Sequence, residues 1–473
     1  MKAAAGLTEP GIESYFDYSG GRFKTCILFP NNRDAALGSL GFQTVYHLFN
    51  SQEGFSAIPV WLQPGRNIPY PGGEVLALSI AFELDIANFV KTLIDWRIEP
   101  LATERKGPLV ISGGVLPHIN PLPLAPFSDI IMIGDGEILI PRFAEMYRQY
   151  HVSGKQALLS RAAYEPGFFV PGYNKIGEVR ALVRPRETVL HSIFRSEAGH
   201  FRDMFLVEVG RGCPRKCRFC ASSHIHGYEF HALAKIMEVI DKYAPAESQI
   251  GLVGSALSDY PEIEELTGTL VERGYKLGLS SLRADVISES LIEIMVRGGV
   301  KTLTIAPEAG TIRLRRAIGK GISDRLMIKA AGNAAAAGIS RIKLYFLIGL
   351  PGETEADIQG IASLTESISE FFPRQNMDVS VNAFVPKAGT PFAEADFAGE
   401  SYLKKTRTKL RKMLKGYNFS RRSASLESAQ AVLSQGDETA GLAVLDSVRM
   451  GMSLKDALKN RLNPGRGARG VDT

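Results

Sequence analysis

The sequence is poor in cysteine and has no long apolar segment. Only 4 of its 473 residues are cysteine: Cys26 stands alone, and the other 3 fall within the stretch Cys213–Cys220. A disulfide framework distributes its cysteines along the chain, so this grouping favours a metal site in a reducing compartment. No apolar run approaches the roughly 18 residues of a membrane span, and the first residues lack the apolar block of a signal peptide. We therefore expect a cytoplasmic protein.

The chain also has little excess of charge of either sign, with one local exception. The chain carries 55 Lys and Arg against 50 Asp and Glu, which excludes a polycationic protein. Residues 401–422, however, hold 9 cations and no acidic residue. This basic stretch favours one of two interpretations. It is a packed amphipathic helix with a cationic solvent face, or it binds nucleic-acid phosphates while Tyr402, Tyr417 and Phe419 stack on bases.

The N-terminal part alternates short apolar strands with helices. That alternation predicts a doubly wound, Rossmann-like parallel sheet over residues 1–155. Prolines 117, 121, 123 and 126 predict a loop without helix before the last strand. The predicted strands are Phe23–Phe29, Ala57–Leu62, Val75–Ile80, Pro108–Gly113 and Asp129–Ile133.

The strand and helix alternation returns after residue 200 and repeats six times. Six such units fit either an open sheet or a partial (βα)₆ barrel, and periodicity alone does not choose between them. We expect residues 156–200 to be a linker or packed extension, 401–463 a helical extension, and 464–473 a disordered tail. The predicted strands of the 201–400 domain are Phe205–Val209, Ile250–Val253, Lys276–Ser280, Lys301–Ile305, Ile342–Ile348 and Val379–Phe384.

The grouped cysteines are the strongest chemical signal in the sequence. Cys213, Cys217 and Cys220 follow the first strand of the 201–400 domain within a loop rich in Arg and Lys. Three nearby thiolates need a compensating cation, and basic neighbours lower thiol pKa. An iron–sulfur cube held by three cysteines is favoured; a zinc site completed by His224 or His226 is the main alternative.

With its context, this motif resembles the signature of the radical S-adenosylmethionine enzymes. The C-x₃-C-x₂-C spacing has an aromatic residue, Phe219, before its last cysteine. The segments expected for the family's third to sixth strands follow in order. The segment at 111–137 is also similar to the end of a cobalamin-binding-type domain. The resemblance implies a partial (βα)₆ barrel after a Rossmann-like domain. These segments are LGLSSLRAD (Leu277–Asp285), TLTIAPEAG (Thr302–Gly310) together with the following RLRRAIGKG (Arg313–Gly321), LYFLIGLPGET (Leu344–Thr354) and VNAFVPKAGTPF (Val381–Phe392).

The resemblance implies a [4Fe–4S] cluster on the three cysteines and S-adenosylmethionine at its open iron. Glu308 would contact the ribose hydroxyls or the ammonium, and Ile348 and Gly349 the adenine. Arg283 and Arg315 would meet the methionine carboxylate. The family's Gly-Gly-Glu contact for the amino group is replaced by Gly254-Ser255-Ala256, so that contact is in doubt. The further cofactor contacts expected are Phe219, Ser255 and Ser281.

The resemblance also implies a function. We expect reductive cleavage of S-adenosylmethionine to a 5′-deoxyadenosyl radical, hydrogen abstraction from an unidentified substrate, and a reductant such as flavodoxin or ferredoxin. The N-terminal domain is a candidate cobalamin site for methyl transfer, with glycines 113, 114, 134 and 136 at its strand ends. The other hypotheses are an RNA-modifying radical enzyme that uses the basic stretch and a non-catalytic zinc-binding scaffold.

Overall fold

The protein divides into two compact units. The computed structural model describes residues 11–183, 188–197, 199–225 and 227–462, so His226 and the predicted tail lie outside the described residues. The first unit comprises Met1–Pro185, Ser192–Asp203 and Val432–Thr473, and the second comprises Arg186–His191 and Met204–Ala431. Among the described helices, none combines the length and apolar content needed to cross a bilayer.

Strands and helices alternate along most of the described chain. The strands are β1 (Ile12–Ser14), β2 (Phe23–Asn32), β3 (Phe55–Leu62), β4 (Val75–Ser79), β5 (Leu109–Gly113), β6 (Ile130–Met132), β7 (Phe168–Phe169), β8 (Phe194–Ser196), β9 (Met204–Arg211), β10 (Glu229–Phe230), β11 (Gln249–Gly254), β12 (Lys276–Leu279), β13 (Thr302–Glu308), β14 (Arg341–Ile348), β15 (Met377–Ala383) and β16 (Asn418–Ser420). The α-helices are α1 (Arg33–Leu37), α2 (Leu40–Asn50), α3 (Asp85–Asp95), α4 (Val115–Ile119), α5 (Gly136–Tyr150), α6 (Lys155–Ala162), α7 (Leu233–Tyr243), α8 (Ile263–Glu272), α9 (Glu289–Arg297), α10 (Ile312–Ala317), α11 (Asp324–Ala337), α12 (Glu355–Ile368), α13 (Glu400–Met413), α14 (Ala424–Gln435), α15 (Glu438–Met450) and α16 (Leu454–Leu462).

The first unit is built on a six-stranded sheet of order β3-β2-β4-β5-β6-β7. Strands β2 to β6 are parallel, and only β7 runs antiparallel to its neighbour. Each residue of β4 is buried, as expected for a strand covered on both faces. The predicted doubly wound sheet is therefore confirmed. Its core is rich in aromatic residues, among them Phe23, Phe42, Tyr46, Phe49, Phe55 and Phe143.

The proline-rich segment before β6 corrects one prediction. Pro117 lies inside α4, and Pro123 and Pro126 lie inside a 3₁₀ helix over Leu122–Phe127. The expectation that this segment has no helix is therefore wrong. Pro117 is the third residue of α4, and the first turn of a helix has no internal acceptors for its N–H groups, so a proline there removes no hydrogen bond.

The second unit contains two four-stranded sheets, of order β10-β9-β11-β12 and β13-β14-β15-β16. All pairs are parallel except β10 with β9. A parallel bridge between Leu282 and Ile305 links the end of the first sheet to β13. With β10 at the outer edge beside β9, the strands β9, β11, β12, β13, β14 and β15 therefore follow one another side by side. All six predicted strands are present, in the arrangement of a partial barrel.

From residue 400 to residue 462, the last that the structure describes, the regular elements are helices apart from one short strand. Helices α13 to α16 confirm the predicted helical extension, and β16 adds a parallel edge strand beside β15 within it. The extension does not form a separate unit: α13 and β16 belong to the second unit, whereas α15 and α16 belong to the first. Strand β16 was not predicted because Asn418–Ser420 is short and half exposed, without an apolar pattern.

Candidate cluster and cosubstrate site

The three grouped cysteines lie on the loop at the carboxyl end of β9. Gly212 begins this loop at φ +71°, and a Cβ there would lie 2.5 Å from the backbone oxygen of Gly227. Only glycine therefore fits this turn. Cys217 is buried, whereas Cys213 and Cys220 are half-buried. Parallel α/β proteins place their ligands at this end of their strands.

The three thiols share one short loop, and Cys213 and Cys220 contribute to the electrostatic surroundings of Cys217. Burial raises the pKa of Cys217. The positive charges of Lys320 and Arg283 lower that pKa, whereas Cys220 and Cys213 raise it. In the part of the chain that the structure describes, no group of three or more His, Cys, Asp or Glu side chains is arranged to hold a metal ion. The donor set nevertheless fits an iron–sulfur cluster, because three thiols share one short loop with cations beside them.

The segment after α10 packs against the backbone of the cysteine loop. The backbone N–H of Arg218 donates to the oxygen of Ile318 over 3.0 Å, and the Cys217 Sγ lies 3.9 Å from the oxygen of Gly319. Gly319 has φ +78°, and a Cβ there would lie 3.3 Å from the oxygen of Lys216. The close approach of these two backbones therefore requires glycine at position 319.

A partly buried ion pair joins the cysteine loop to the segment after β11. The Arg215 Nε donates to the Asp259 Oδ1 over 2.7 Å, and Nη2 donates to the same oxygen. This hydrogen bond raises the pKa of Arg215. The Asp259 side chain is only 8% exposed, and its Oδ2 has no hydrogen-bond partner among the described residues. The sequence analysis missed this pair, although Asp259 follows a predicted strand end.

Two further ion pairs surround the same loop. The Arg283 Nη2 contacts the Asp285 Oδ2 over 2.8 Å and the backbone oxygen of Lys320 over 3.3 Å. The Lys320 Nζ contacts the Glu308 Oε1 over 2.9 Å, with both side chains largely buried. Of the predicted site residues, the structure thus brings Arg283 and Glu308 close to the cysteines. Lys320, which connects them, was not predicted.

The backbone of Glu308 is unusual. It ends β13 with φ +66°, after a shift in the register between β13 and β14. Residues other than glycine rarely adopt this left-handed conformation, which costs about 1–2 kcal/mol. Strain of this kind is concentrated at functional sites.

Arg315 occupies a different position from the one expected. The residue is fully buried, and its Nε and Nη1 donate to the backbone oxygens of Ile322 and Ala309 over 2.7 and 2.8 Å. Its Nη2 donates to Asp324. Three of its five N–H donors thus hold its own segment, and the side chain is fully buried, so the geometry gives no support to a contact between Arg315 and a cosubstrate carboxylate.

The turn after β14 is held by the extension helix α13. Ile348 is fully buried, and Gly349 has φ +80°. The Gly349 N–H donates to the Glu353 Oε2 over 2.7 Å, and the Tyr402 hydroxyl donates to that same oxygen. Burial raises the pKa of Glu353, and the bond from Tyr402 opposes that shift. Neither Glu353 nor Tyr402 was predicted to act at this turn.

The remaining predicted contacts are spread around the loop. Phe219 is half-buried against a cluster that includes Leu350 and Phe392. Ser255 and Ser281 are exposed beyond β11 and β12. Histidine 224, the described zinc candidate, has its Nε2 3.0 Å from the backbone oxygen of Cys217. That contact gives the ring a local structural partner.

Two of the predicted strand-end glycines of the first unit, Gly114 and Gly134, pack directly against the backbone of other segments. A Cβ on Gly114 would lie 2.4 Å from the oxygen of Ile80, and one on Gly134 2.3 Å from the oxygen of Leu182. An open cavity of about 600 Å³ lies instead beyond β2 and β3. Its lining includes Asn31, Asn32, Leu62, Asn67, Asn88 and Trp96.

Comparison with known proteins agrees with this architecture. Residues 207–365 match the family model of the Radical SAM superfamily, and residues 69–171 match that of the N-terminal region of Radical SAM proteins. The chain is thus an enzyme of α/β architecture with a radical S-adenosylmethionine domain. It belongs to the radical S-adenosylmethionine superfamily, whose cofactors are a [4Fe–4S] cluster and S-adenosylmethionine.

Individual relatives extend the likeness to most of the chain. An uncharacterized protein of Methanocaldococcus jannaschii is 28% identical over 92% of this chain and 93% of its own length. An uncharacterized methyltransferase of Pyrococcus horikoshii is 24% identical over 34% of this chain and 37% of its own. The radical S-adenosylmethionine methyltransferase TsrM of Kitasatospora setae, with cobalamin and a [4Fe–4S] cluster bound, shares the fold. Its TM-score is 0.56 at 13% identity, over 79% of this chain and 74% of that one.

Proposed function

We propose that this enzyme cleaves S-adenosylmethionine reductively at a [4Fe–4S] cluster held by Cys213, Cys217 and Cys220. The observation that carries the proposal is the placement of three thiols on one loop at the carboxyl end of β9, with Lys320 and Arg283 beside them. Three protein ligands leave one iron of a cube free for a small molecule. When bound and reduced, the cluster supplies the electron that splits the sulfonium into methionine and a 5′-deoxyadenosyl radical.

The chain's own residues would bind and orient the cosubstrate. Glu308 offers a carboxylate to the ammonium or the ribose hydroxyls, and Arg283 a guanidinium to the methionine carboxylate. Both are already held near the cysteines through Lys320. The turn at Ile348 and Gly349 would flank the adenine. Phe219, Ser255 and Ser281 complete the proposed set, and Arg315 is omitted because it is buried in its own loop.

The first unit would bind cobalamin at the carboxyl edge of its sheet and provide a methyl group for transfer to a substrate carbon. Three observations support this step: the fold shared with TsrM, the methyltransferase among the relatives, and the cavity beyond β2 and β3. Open parallel sheets bind ligands at this edge. A cytoplasmic donor such as flavodoxin or ferredoxin would supply the electron.

The decisive experiment replaces one cysteine of the loop. Anaerobically reconstituted Cys217→Ala should keep its circular dichroism spectrum, lose the brown chromophore, and form no 5′-deoxyadenosine. The wild type should hold about four irons and four sulfides per chain. Cys26→Ala is the matched control, because this buried thiol lies in β2, outside the loop, and its loss should leave iron and activity unchanged.

Two results would contradict the proposal. One zinc and no sulfide per wild-type chain would replace the cube by a tetrahedral site, and continued cleavage by Cys217→Ala would remove the cluster assignment. The cobalamin step has a separate test, purification with and without hydroxocobalamin followed by an optical spectrum of the retained cofactor. A spectrum without bound cobalamin would reject methyl transfer from the first unit and leave the cleavage reaction intact.

A further inference from the structure

The extension helix α13 presents a line of cations on one face. Lys404, Thr408 and Arg411 recur at intervals of four and three residues, which places them on one side of α13, and Lys415 follows just after the helix ends. They line a cavity of about 470 Å³, and its other lining residues are Arg407, Lys412 and Arg421. Every charged residue of this lining is positive. We call Lys404, Arg411, Lys412, Lys415 and Arg421 the cationic groove.

The groove continues past the end of the helix. A neighbouring cavity of about 720 Å³ shares Arg411 and Lys415 with the first and adds Lys343 and the strand β16. Its acidic residue, Asp378, is within 3.1 Å of the Asn418 side chain and 3.4 Å of Arg341. The charge available to a ligand along both cavities is therefore positive.

Most of the groove has no internal counter-charge. Of the carboxylates near α13, Glu355 pairs with Lys409 and Glu427 with Arg407, both outside the groove, and Glu400 pairs with the groove residue Lys404 over 3.0 Å. Within the ranges that the structure describes, four groove cations have no acidic partner: Arg411, Lys412, Lys415 and Arg421.

The aromatic residues of this region narrow the ligand class. Tyr417 is buried, and its hydroxyl donates to Glu366 over 2.6 Å, so the expectation that it stacks on bases is corrected. The hydroxyl of Tyr402 donates a hydrogen bond to Glu353. Along α13 a ligand would therefore meet charge, which matches contacts to a phosphate backbone, and Phe419, which lines the neighbouring cavity, is the remaining predicted stacking residue. Protein interfaces, in contrast, are depleted of lysine at their centres.

We propose that the cationic groove binds the phosphate backbone of an RNA strand without reading its sequence. From Lys404 to Arg411 the helical rise is about 10 Å, close to the rise of three stacked nucleotides, and Lys415 and Arg421 extend the groove past the end of the helix. Five cations that neutralise phosphates predict that log K falls against log salt with a slope of about −3.5 for a single strand. This inference does not depend on the cluster or on cobalamin.

The test measures fluorescence anisotropy of a labelled 20-nucleotide unstructured RNA with the full chain, across a range of salt concentrations. Arg411→Gln/Lys412→Gln/Lys415→Gln should weaken binding at least tenfold and reduce the magnitude of the salt slope by about 2, since three contacts are lost. All three positions are exposed, so circular dichroism should not change.

A matched variant carries the same change of charge elsewhere on the second unit. Lys235→Gln/Lys276→Gln/Arg297→Gln removes three exposed cations outside the groove and should bind RNA within twofold of the wild type. Equal loss of affinity in both triple variants would overturn the proposal, because net charge alone would then explain binding. Equal competition by polyglutamate of matched charge would also overturn it, in favour of an acidic protein partner.

Discussion

The ion pair between Arg407 and Glu427 fixes α13 and α14 to the end of β15. The Arg407 Nη1 and Nη2 each lie 2.7 Å from one Glu427 oxygen, and both side chains are 2% exposed. The Glu427 Oε1 also accepts the N–H of Ala383 over 2.8 Å, and Nη2 donates to the oxygen of Val381 over 3.2 Å. Arg407→Met would leave a buried carboxylate with one backbone donor. We expect a loss of about 3–5 kcal/mol in the free energy of unfolding.

A second variant separates loss of the pair from loss of packing. In Arg407→Met/Glu427→Gln the buried charge is gone, and the amide oxygen can still accept from Ala383. Paired apolar or neutral replacements of buried ion pairs are often close to neutral. The double variant should therefore recover most of the stability that Arg407→Met loses.

The assay is urea unfolding of the full chain followed by far-ultraviolet circular dichroism. Both tryptophans, Trp61 and Trp96, belong to the first unit, so fluorescence reports on that unit separately. The circular dichroism transition should shift in Arg407→Met more than the fluorescence transition does. A single variant within about 1 kcal/mol of wild type, or a double variant no better than the single, would refute the reasoning.

Three further predictions concern separate places in the chain. Gly319→Ala introduces a Cβ at φ +78° and 3.3 Å from the Lys216 oxygen, so iron retained after reconstitution and the melting temperature should both fall. Burial raises the pKa of Asp85 to about 6, so the folded state binds the proton more tightly and stability falls as pH rises from about 4 to 6. Asp85→Asn should therefore raise the melting temperature at pH 7 and change it little at pH 4; an equal effect at both would contradict this cause. Tyr402→Phe removes the hydroxyl that donates to Glu353 and should cost about 1 kcal/mol in unfolding, with a higher KM for S-adenosylmethionine.

The strand order and the place of the cysteine loop were predictable from local sequence. Apolar runs such as the one in β14 have a burial pattern that alternates along the strand, and helices with clear caps separate them. Ser288 and Ser323, for example, accept the backbone N–H groups that begin α9 and α11. These are short-range signals, and they placed each of the six strands of the second unit.

The charged contacts were not predictable in the same way. Arg215 reaches Asp259 across 44 positions, and local sequence does not state which acid a cation meets. Arg315 illustrates the limit. In the segment RLRRAIGKG the cations Arg313, Arg315 and Lys320 look equivalent. The structure buries Arg315 within α10, whereas Lys320 lies after that helix and contacts Glu308. Such roles depend on the tertiary arrangement.

Backbone strain points to the same end of the second unit as the ion pairs do. The described residues include five non-glycine positions of positive φ, and two of them, Lys216 and Glu308, lie beside the grouped cysteines. At exposed turns elsewhere, replacing such a residue with glycine would relieve about 1 kcal/mol of backbone strain. At Glu308 glycine would relieve the strain and remove the carboxylate that Lys320 holds. If only the backbone conformation mattered at this position, glycine would be the better residue. The presence of glutamate despite the strain therefore indicates that its carboxylate has a role of its own.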